Sequence, residues 1–159
     1  FTTEKTVGLM HGFKPEMIAG MPSYVLKVLE AAKEKDVDLF GVKFVWGANG
    51  INESFIEKVK GYCSGATVLA TYGFTEARCA WTTCADKDQG YHVFAESGRF
   101  ETAEDGELIY HSDHYPKGLM TGDLGKILPG DRCPSCKKVC QRIGFKIRRK
   151  DGMVKNYDL

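Results

Sequence analysis

Apolar residues recur every three or four positions through much of the first half of the chain, and in short runs broken by Gly, Asp and Pro through the second. In MPSYVLKVLEAAKEKDVD, residues Val25, Leu26, Leu29 and Ala32 share one helical face. Pro22 near the start of that helix costs nothing, because the first helical N–H has no partner to lose. The apolar run 42–46 reads as a strand, ended by Gly47–Ala48–Asn49–Gly50. Asn52 is placed to cap a second helix, whose apolar stripe is Phe55, Ile56, Val59 and Tyr62. Gly65 then hands over to a second buried strand, 66–71. Strand, helix and strand at this spacing predict a parallel crossover unit.

Beyond residue 80 the segments AWTTC, YHVFAE, RFETA, GELIYHS, KGLMTG, GKILPG and KVCQRIGFKIRR are short and separated by turn residues. That pattern predicts hairpins, with Glu104–Asp105–Gly106 the clearest turn. The expected fold class is therefore α/β: a parallel β-α-β portion followed by a β-rich antiparallel subdomain.

Composition narrows the partners more than the fold. The chain has 159 residues, a formal net charge of +1 and ordinary hydrophobic and charged fractions of 43% and 27%. Overall charge therefore gives no reason to expect attraction to nucleic acid or membrane. No run of about 18 apolar residues suggests a membrane span, and no secretory signal is visible. A reducing, cytoplasmic setting follows as the expectation. The first residue is Phe1, and the last stretch, DGMVKNYDL, lacks an evident cap, which suggests a piece of a longer protein.

Ligands of open parallel sheets bind beyond the carboxyl ends of the strands. Two segments fall there: Gly47–Ala48–Asn49–Gly50 after the first strand, and Tyr72–Gly73 after the second. Glycines at such places let a flat ring approach the backbone. Tyr72 can stack on a base, Thr75 can donate to a phosphate oxygen, and Glu76 can hold a hard cation. Farther on, Thr121–Gly122–Asp123 puts a carboxylate at a tight turn, where it can accept both hydroxyls of a ribose. Each of these features also has a plainer reading as a turn or local cap.

Six cysteines are many for this length, and their spacing matters more than their number. Cys133–Pro134–Ser135–Cys136 has the spacing of a zinc knuckle, in which two thiolates turn onto one tetrahedral ion. Cys84 and His92 flank the loop ADKDQGY and are the proposed second pair, with Cys140 and Cys79 as rivals. Four protein ligands would make the zinc structural. A redox role for the pair would want the first cysteine at a helix start, and the strand-like VCQRI fits a knuckle better. His111 and His114 read as a polar loop rather than a metal pair.

In order, TYGFTEA, GLMTGDLGKI and RRKDGMVK resemble the YGxTE, TGD and GRxDxxxK motifs of the acyl-adenylate-forming ligase superfamily. The resemblance covers roughly residues 20–159, and the Cys/His elements with the MPSYVLKVLEAA helix look most like the phenylacetate–CoA ligase branch. It implies that Tyr72 stacks on adenine, with Gly73 giving close approach and Gly47, Ala48 and Asn49 lining the nucleotide. It implies that Thr75 contacts the α-phosphate and Glu76 ligates magnesium, the two catalytic positions. Asp123 and Arg149 would bind the ribose, Asp151 would be the hinge pivot, and Lys155 would be the hinge lysine. Two positions depart from the pattern: Asn49 stands where the family has glutamate, and Arg148 where it has the hinge glycine.

The implied cofactors are ATP/AMP, magnesium and a structural zinc. The implied substrates are a carboxylic acid and coenzyme A, without nucleic acid or membrane partners. Trp46 and Phe74 point to an aromatic or otherwise apolar acid, unless they are plain core. The expected organisation is 1–78 as the α/β portion with adenine-binding loops, 79–148 as the zinc-clipped β-rich portion, and 149–159 as the hinge to a C-terminal domain. Alone, the chain is expected to show no ligase turnover. The rival class is a zinc-ribbon module binding nucleic acid or protein through CPSCKKVC and KIRRK.

Overall fold

The computed structural model describes residues 2–47 and 51–151. Its contacts divide the chain into two units, the first running through Ala70 and the second beginning at Thr71.

The first unit contains α1 (Thr3–Phe13), β1 (Met17–Gly20), α2 (Pro22–Glu34), β2 (Phe44–Gly47), α3 (Glu53–Tyr62) and the opening of β3 (Thr67–Phe74). β1, β2 and β3 pair in parallel, with Ala19 opposite Trp46 and Trp46 opposite Leu69. The predicted crossover is thus present. Pro22 opens α2, and Val25, Leu26, Leu29 and Ala32 are all buried. Asn52 caps α3 by accepting a hydrogen bond of 2.8 Å from the Phe55 amide, and Phe55 and Val59 carry its buried face. α1 and β1 precede the first element the apolar pattern predicts. α1 is capped by Thr2 and contributes Val7 and Met10 to the core.

The second unit continues β3 and adds β4 (Cys79–Thr83), β5 (Tyr91–Val93), β6 (Arg99–Thr102), β7 (Glu107–Ser112), β8 (Tyr115–Leu124), β9 (Gln141–Ile143) and β10 (Arg148–Arg149). Every pairing in it is antiparallel. One set runs β3–β4–β5–β9 and the other β10–β8–β7–β6. The expected hairpin at Glu104–Asp105–Gly106 joins β6 to β7, with Gly106 at φ +88°. GKILPG, expected as a strand, makes only an isolated bridge between Ile127 and Ile143.

One difference bears on function. The strand expected to stop at residue 71 continues to Phe74, so Tyr72 and Gly73 lie on a strand and not in a loop. The cause is β4, which pairs Trp81 with Tyr72 and Ala80 with Gly73 and keeps the backbone extended. A side chain at Gly73 would come within 3.0 Å of the Cys79 carbonyl oxygen, so the close backbone there is that of β4.

The core of this unit is aromatic. Trp81 meets Phe100 edge-on at 4.8 Å between centroids, and Phe74 meets Tyr110 edge-on at 5.4 Å. Phe74 is half-buried against this cluster. The polar edges of the cluster are satisfied through Ser97, whose hydroxyl accepts from the Trp81 indole at 2.8 Å and whose carbonyl accepts from the Tyr110 hydroxyl at 2.9 Å. Among the described residues no helix is long and apolar enough to cross a membrane.

Candidate nucleotide and metal sites

Two clusters of chemistry-bearing side chains lie in the second unit. The first joins β3, β8 and β10. Asp123 is 0% exposed near the end of β8. Its Oδ2 accepts a hydrogen bond of 3.0 Å from the Tyr72 hydroxyl, and its Oδ1 lies 3.4 Å from Nη1 of Arg149. The Arg149 guanidinium also donates to the Thr121 carbonyl at 3.2 Å and lies 3.8 Å from the Asp151 carboxylate. Tyr72 and Asp123, 51 positions apart in sequence, are direct partners.

Register explains the meeting of Arg149 with Asp123: β10 pairs antiparallel with β8, and the two residues stand opposite each other. The Thr121–Gly122–Asp123 segment, expected as a tight turn, lies within β8 where its pairing with β7 shifts register, and Gly122 makes that bulge possible. Its φ of +72° is in the left-handed region, and a Cβ there would sit 3.1 Å from the Arg149 guanidinium. The Tyr72 hydroxyl is held in its neutral, donating form. Burial, then the charge of Asp123 and the hydrogen bond to it, push its pKa well above the usual phenol value.

The Tyr72 ring itself is 6% exposed. The rings of Phe74, Trp81, Tyr91 and Phe100 surround it at 5.7 to 6.1 Å. The structure offers Asp123 the hydroxyl of Tyr72 rather than a ring face to a base, and stacking on that ring requires a neighbour to move aside. Thr75 and Glu76 are exposed on a single 3-10 turn that directly follows β3. Gly47 lies in the other unit, where a side chain would collide with Ile51 and Phe55; its lack of a Cβ is accounted for by packing. Ala48, Asn49 and Lys155 lie outside the described residues.

The second cluster is the one anticipated from cysteine spacing. One ligand atom from each of Cys84, His92, Cys133 and Cys136 lies within 4.8 Å of all the others. Cys84 follows β4 directly and His92 is the middle residue of β5. Cys133 and Cys136 come from a tight knuckle closed by a bridge between Arg132 and Val139. Within it Lys137 is left-handed at φ +65°, its amide donates to the Cys133 carbonyl at 3.0 Å, and the Cys136 amide faces the Cys133 sulfur at 3.5 Å. No helix starts at Cys133, so the feature a redox motif would need is absent among the described residues. Of the rivals, Cys79 directs its thiol toward the Ser97 carbonyl, 3.9 Å away. The Cys140 amide donates to the Asp131 carbonyl at 2.7 Å, tying off the knuckle.

The surroundings act on Cys84, Cys133 and His92 in different directions. Burial raises the Cys84 pKa. Burial opposes ionisation of Cys133 too, but hydrogen bonds from the amides of Cys136 and Ser135 and from the neighbouring thiols outweigh it, and its pKa falls below the ordinary thiol value. Burial first, then the positive charges of Lys138 and Arg142, lower the pKa of His92 and keep its imidazole neutral, the form that ligates metals. His92 Nδ1 faces the Cys136 sulfur at 3.7 Å, and Nε2 is buried with no hydrogen-bond partner among the described residues.

Two residues of this unit, Glu107 and Arg142, were not anticipated. Glu107 is buried at 4% exposure and, with Asp105, receives the Lys150 ammonium. Arg142, also buried, donates to Gln89 at 3.2 Å and to the Pro129 carbonyl. Each has partners 13 to 53 residues away, a separation that no local motif records. His111, read as a loop residue, sits on β7 with Nε2 at 3.3 Å from Glu101.

With its parallel strands and antiparallel sheets, this is the fold of a part of the large N-terminal domain of adenylate-forming enzymes. 2-Hydroxyisobutyryl-CoA ligase, crystallised in an open conformation with 2-HIB-AMP and CoA, superimposes with a TM-score of 0.72 at 18% identity over 92% of this chain and 36% of that one. The luciferase-like enzyme from the nonluminescent Zophobas morio mealworm superimposes with a TM-score of 0.58 at 17% identity, over 94% of this chain and 41% of that one. A long-chain-fatty-acid-CoA ligase from Archaeoglobus fulgidus gives 0.58 at 14% identity, over 90% and 36%. The chain thus spans between about a third and two fifths of the length of these enzymes. No family model matches the sequence, and no curated protein does.

Proposed function

We propose that this chain is the central part of an ATP-dependent, AMP-forming carboxylate–CoA ligase similar to phenylacetate–CoA ligases. The observation that carries the reading is the 3.0 Å contact between Tyr72 and Asp123, with Arg149 on the other carboxylate oxygen. Three segments that match the motifs of nucleotide-using ligases, far apart in sequence, thereby meet at one carboxylate. The fold shared with enzymes crystallised with an acyl-adenylate and CoA supports the same reading.

In that enzyme the acid's carboxylate attacks the α-phosphorus of ATP and pyrophosphate leaves. The thiol of coenzyme A then attacks the acyl carbon and AMP leaves. Asp123 serves as the acceptor for ribose hydroxyls. A carboxylate has about four lone-pair directions, so it can receive them beside Tyr72 and Arg149, but Asp123 is fully buried and a neighbouring side chain must move aside for the ribose to reach it. Thr75, exposed on its turn, donates to the α-phosphate. Glu76 beside it is the carboxylate that would hold magnesium, a hard cation that would supply charge neutralisation at the phosphates. Asp151, already drawn toward Arg149, is the pivot of the hinge.

Cys84, His92, Cys133 and Cys136 hold a structural zinc. Two Zn–S bonds of about 2.3 Å at a tetrahedral angle put the sulfurs about 3.8 Å apart, and a Zn–N bond shortens the S···N edge to about 3.6 Å. The Cys84–Cys133 and Cys136–His92 separations of 4.0 and 3.7 Å fit that frame before any ion draws them in. Four protein ligands leave no position for substrate, so the metal supplies folding energy rather than chemistry.

Calorimetric titration separates this reading from a nucleic-acid module. AMP is expected to bind the chain, and Asp123→Asn to weaken it by about tenfold, the loss of one charge-assisted hydrogen bond. Oligonucleotide binding that is salt-sensitive and lost on changing Arg148 and Arg149, without AMP binding, would favour the zinc-ribbon module. The engagement of Arg149 with Asp123 and the Thr121 carbonyl speaks against that alternative.

A further inference from the structure

β10 is two residues long, too short for its ladder alone to hold it, yet it carries Arg149 to Asp123. The next residue, Lys150, does more than extend it. The Lys150 amide donates to the Gly122 carbonyl at 2.8 Å. From the other side the Gly122 amide donates to Oε1 of Glu107 at 2.9 Å. The circuit closes because Oε2 of Glu107 accepts from the Lys150 ammonium at 2.8 Å. Gly122 is therefore gripped at both its backbone groups by two residues that are themselves ion-paired. It is also the residue that aims Asp123, through its left-handed backbone.

Resting on the nucleotide reading above, we propose that Glu107 and Lys150 are positioning residues: their ion pair fixes the Thr121–Gly122–Asp123 bulge of β8 and fastens the Arg149 strand to it, so that nucleotide affinity follows the docking of that strand. Glu107 is nearly inaccessible to water. Undocking β10 would strand its carboxylate without the cation that compensates its burial, and such a penalty makes a device two-state rather than gradual. The second acceptor of Lys150, Asp105, stands on the exposed β6–β7 turn, so the lysine has a partner at the surface as well as one in the interior. Together with Arg149 and Asp123, the pair makes two cation–carboxylate contacts across one short pairing.

The test uses the 159-residue chain with Lys150→Met, Lys150→Arg and Glu107→Gln, read by amide hydrogen exchange and by calorimetric titration with AMP. In Lys150→Met the Gly122 and Lys150 amides are expected to exchange about tenfold faster or more, and the AMP dissociation constant to rise about tenfold, the scale of a lost charge-assisted hydrogen bond. Protection of Trp81 and His92 should stay unchanged, which separates a local release from general unfolding. Lys150→Arg should restore both readouts. Glu107→Gln, which keeps an acceptor for Gly122 but not the charge, should lie between. Unchanged Gly122 exchange in Lys150→Met overturns the proposal whatever AMP does. Faster exchange with unchanged AMP affinity overturns the coupling. A wild-type chain that binds no AMP overturns the nucleotide reading and the coupling with it, and is told apart from failure of the clasp by the exchange of Gly122.

Discussion

Cys133→Ser is expected to abolish stoichiometric zinc and to lower stability by more than about 4 kcal/mol, the range reached when a structural metal is lost. The size follows from what the ion would join. Cys84 follows β4, His92 lies within β5 and the knuckle precedes β9, so one ion ties together three strands that otherwise share only short ladders. The wild-type chain, purified without added metal, should carry about one zinc by elemental analysis, since one tetrahedral set is present. The complex should fail in acid. Burial, then the charges of Lys138 and Arg142, lower the pKa of His92, so on acidification the unfolded chain takes up its proton first, near pH 6.5, and the folded chain only at lower pH. Stability therefore falls with pH across that window, and protonation of the thiolates adds to the loss in the same direction. Retention of full metal content by the serine variant would reject the ligand set.

Asp123→Ala should be the most damaging change at the other cluster. It removes the acceptor of the Tyr72 hydroxyl and the counter-charge of Arg149 at a fully buried position. The change costs about 1–3 kcal/mol, because the buried Tyr72 hydroxyl loses its acceptor while Arg149 keeps the Thr121 carbonyl and Asp151. Denaturant unfolding should show this as a lower midpoint at nearly constant slope. Asp123→Asn keeps the shape and an acceptor, and should fold better while still binding nucleotide weakly. A loss below about 1 kcal/mol in Asp123→Ala, the scale of a surface substitution, would mean that the carboxylate is not the organising charge of this stretch of β8.

How much of this was legible in the sequence depends on how local each signal is. The α2 stripe, the Asn52 cap and the turn at Gly106 rest on residues a few positions apart, and the structure has them all. The meeting of Cys84 and His92 with Cys133 and Cys136 was legible for a different reason: few side chains can ligate a metal, so chemistry narrowed the choice where distance along the chain did not. β3 ran past its expected end because its last residues are extended by β4, a partner that no window on β3 contains. The same blindness hid Glu107 and Lys150, an ordinary pair of charges until β7 and β10 flank the same bulge of β8. The aromatic shell around Tyr72 was likewise unreadable, since Trp81, Tyr91 and Phe100 arrive on three different strands.

The most direct measurement is AMP titration into isotopically labelled chain, followed by amide NMR. The backbone signals of Tyr72, Gly122, Asp123 and Arg149 should move together and saturate at millimolar AMP or below, with those of the Cys133–Cys136 knuckle unmoved. If these four signals stay in place up to about 10 mM AMP, a concentration that would reveal binding worth only about 3 kcal/mol, the carboxylate where the three motifs meet is no nucleotide site.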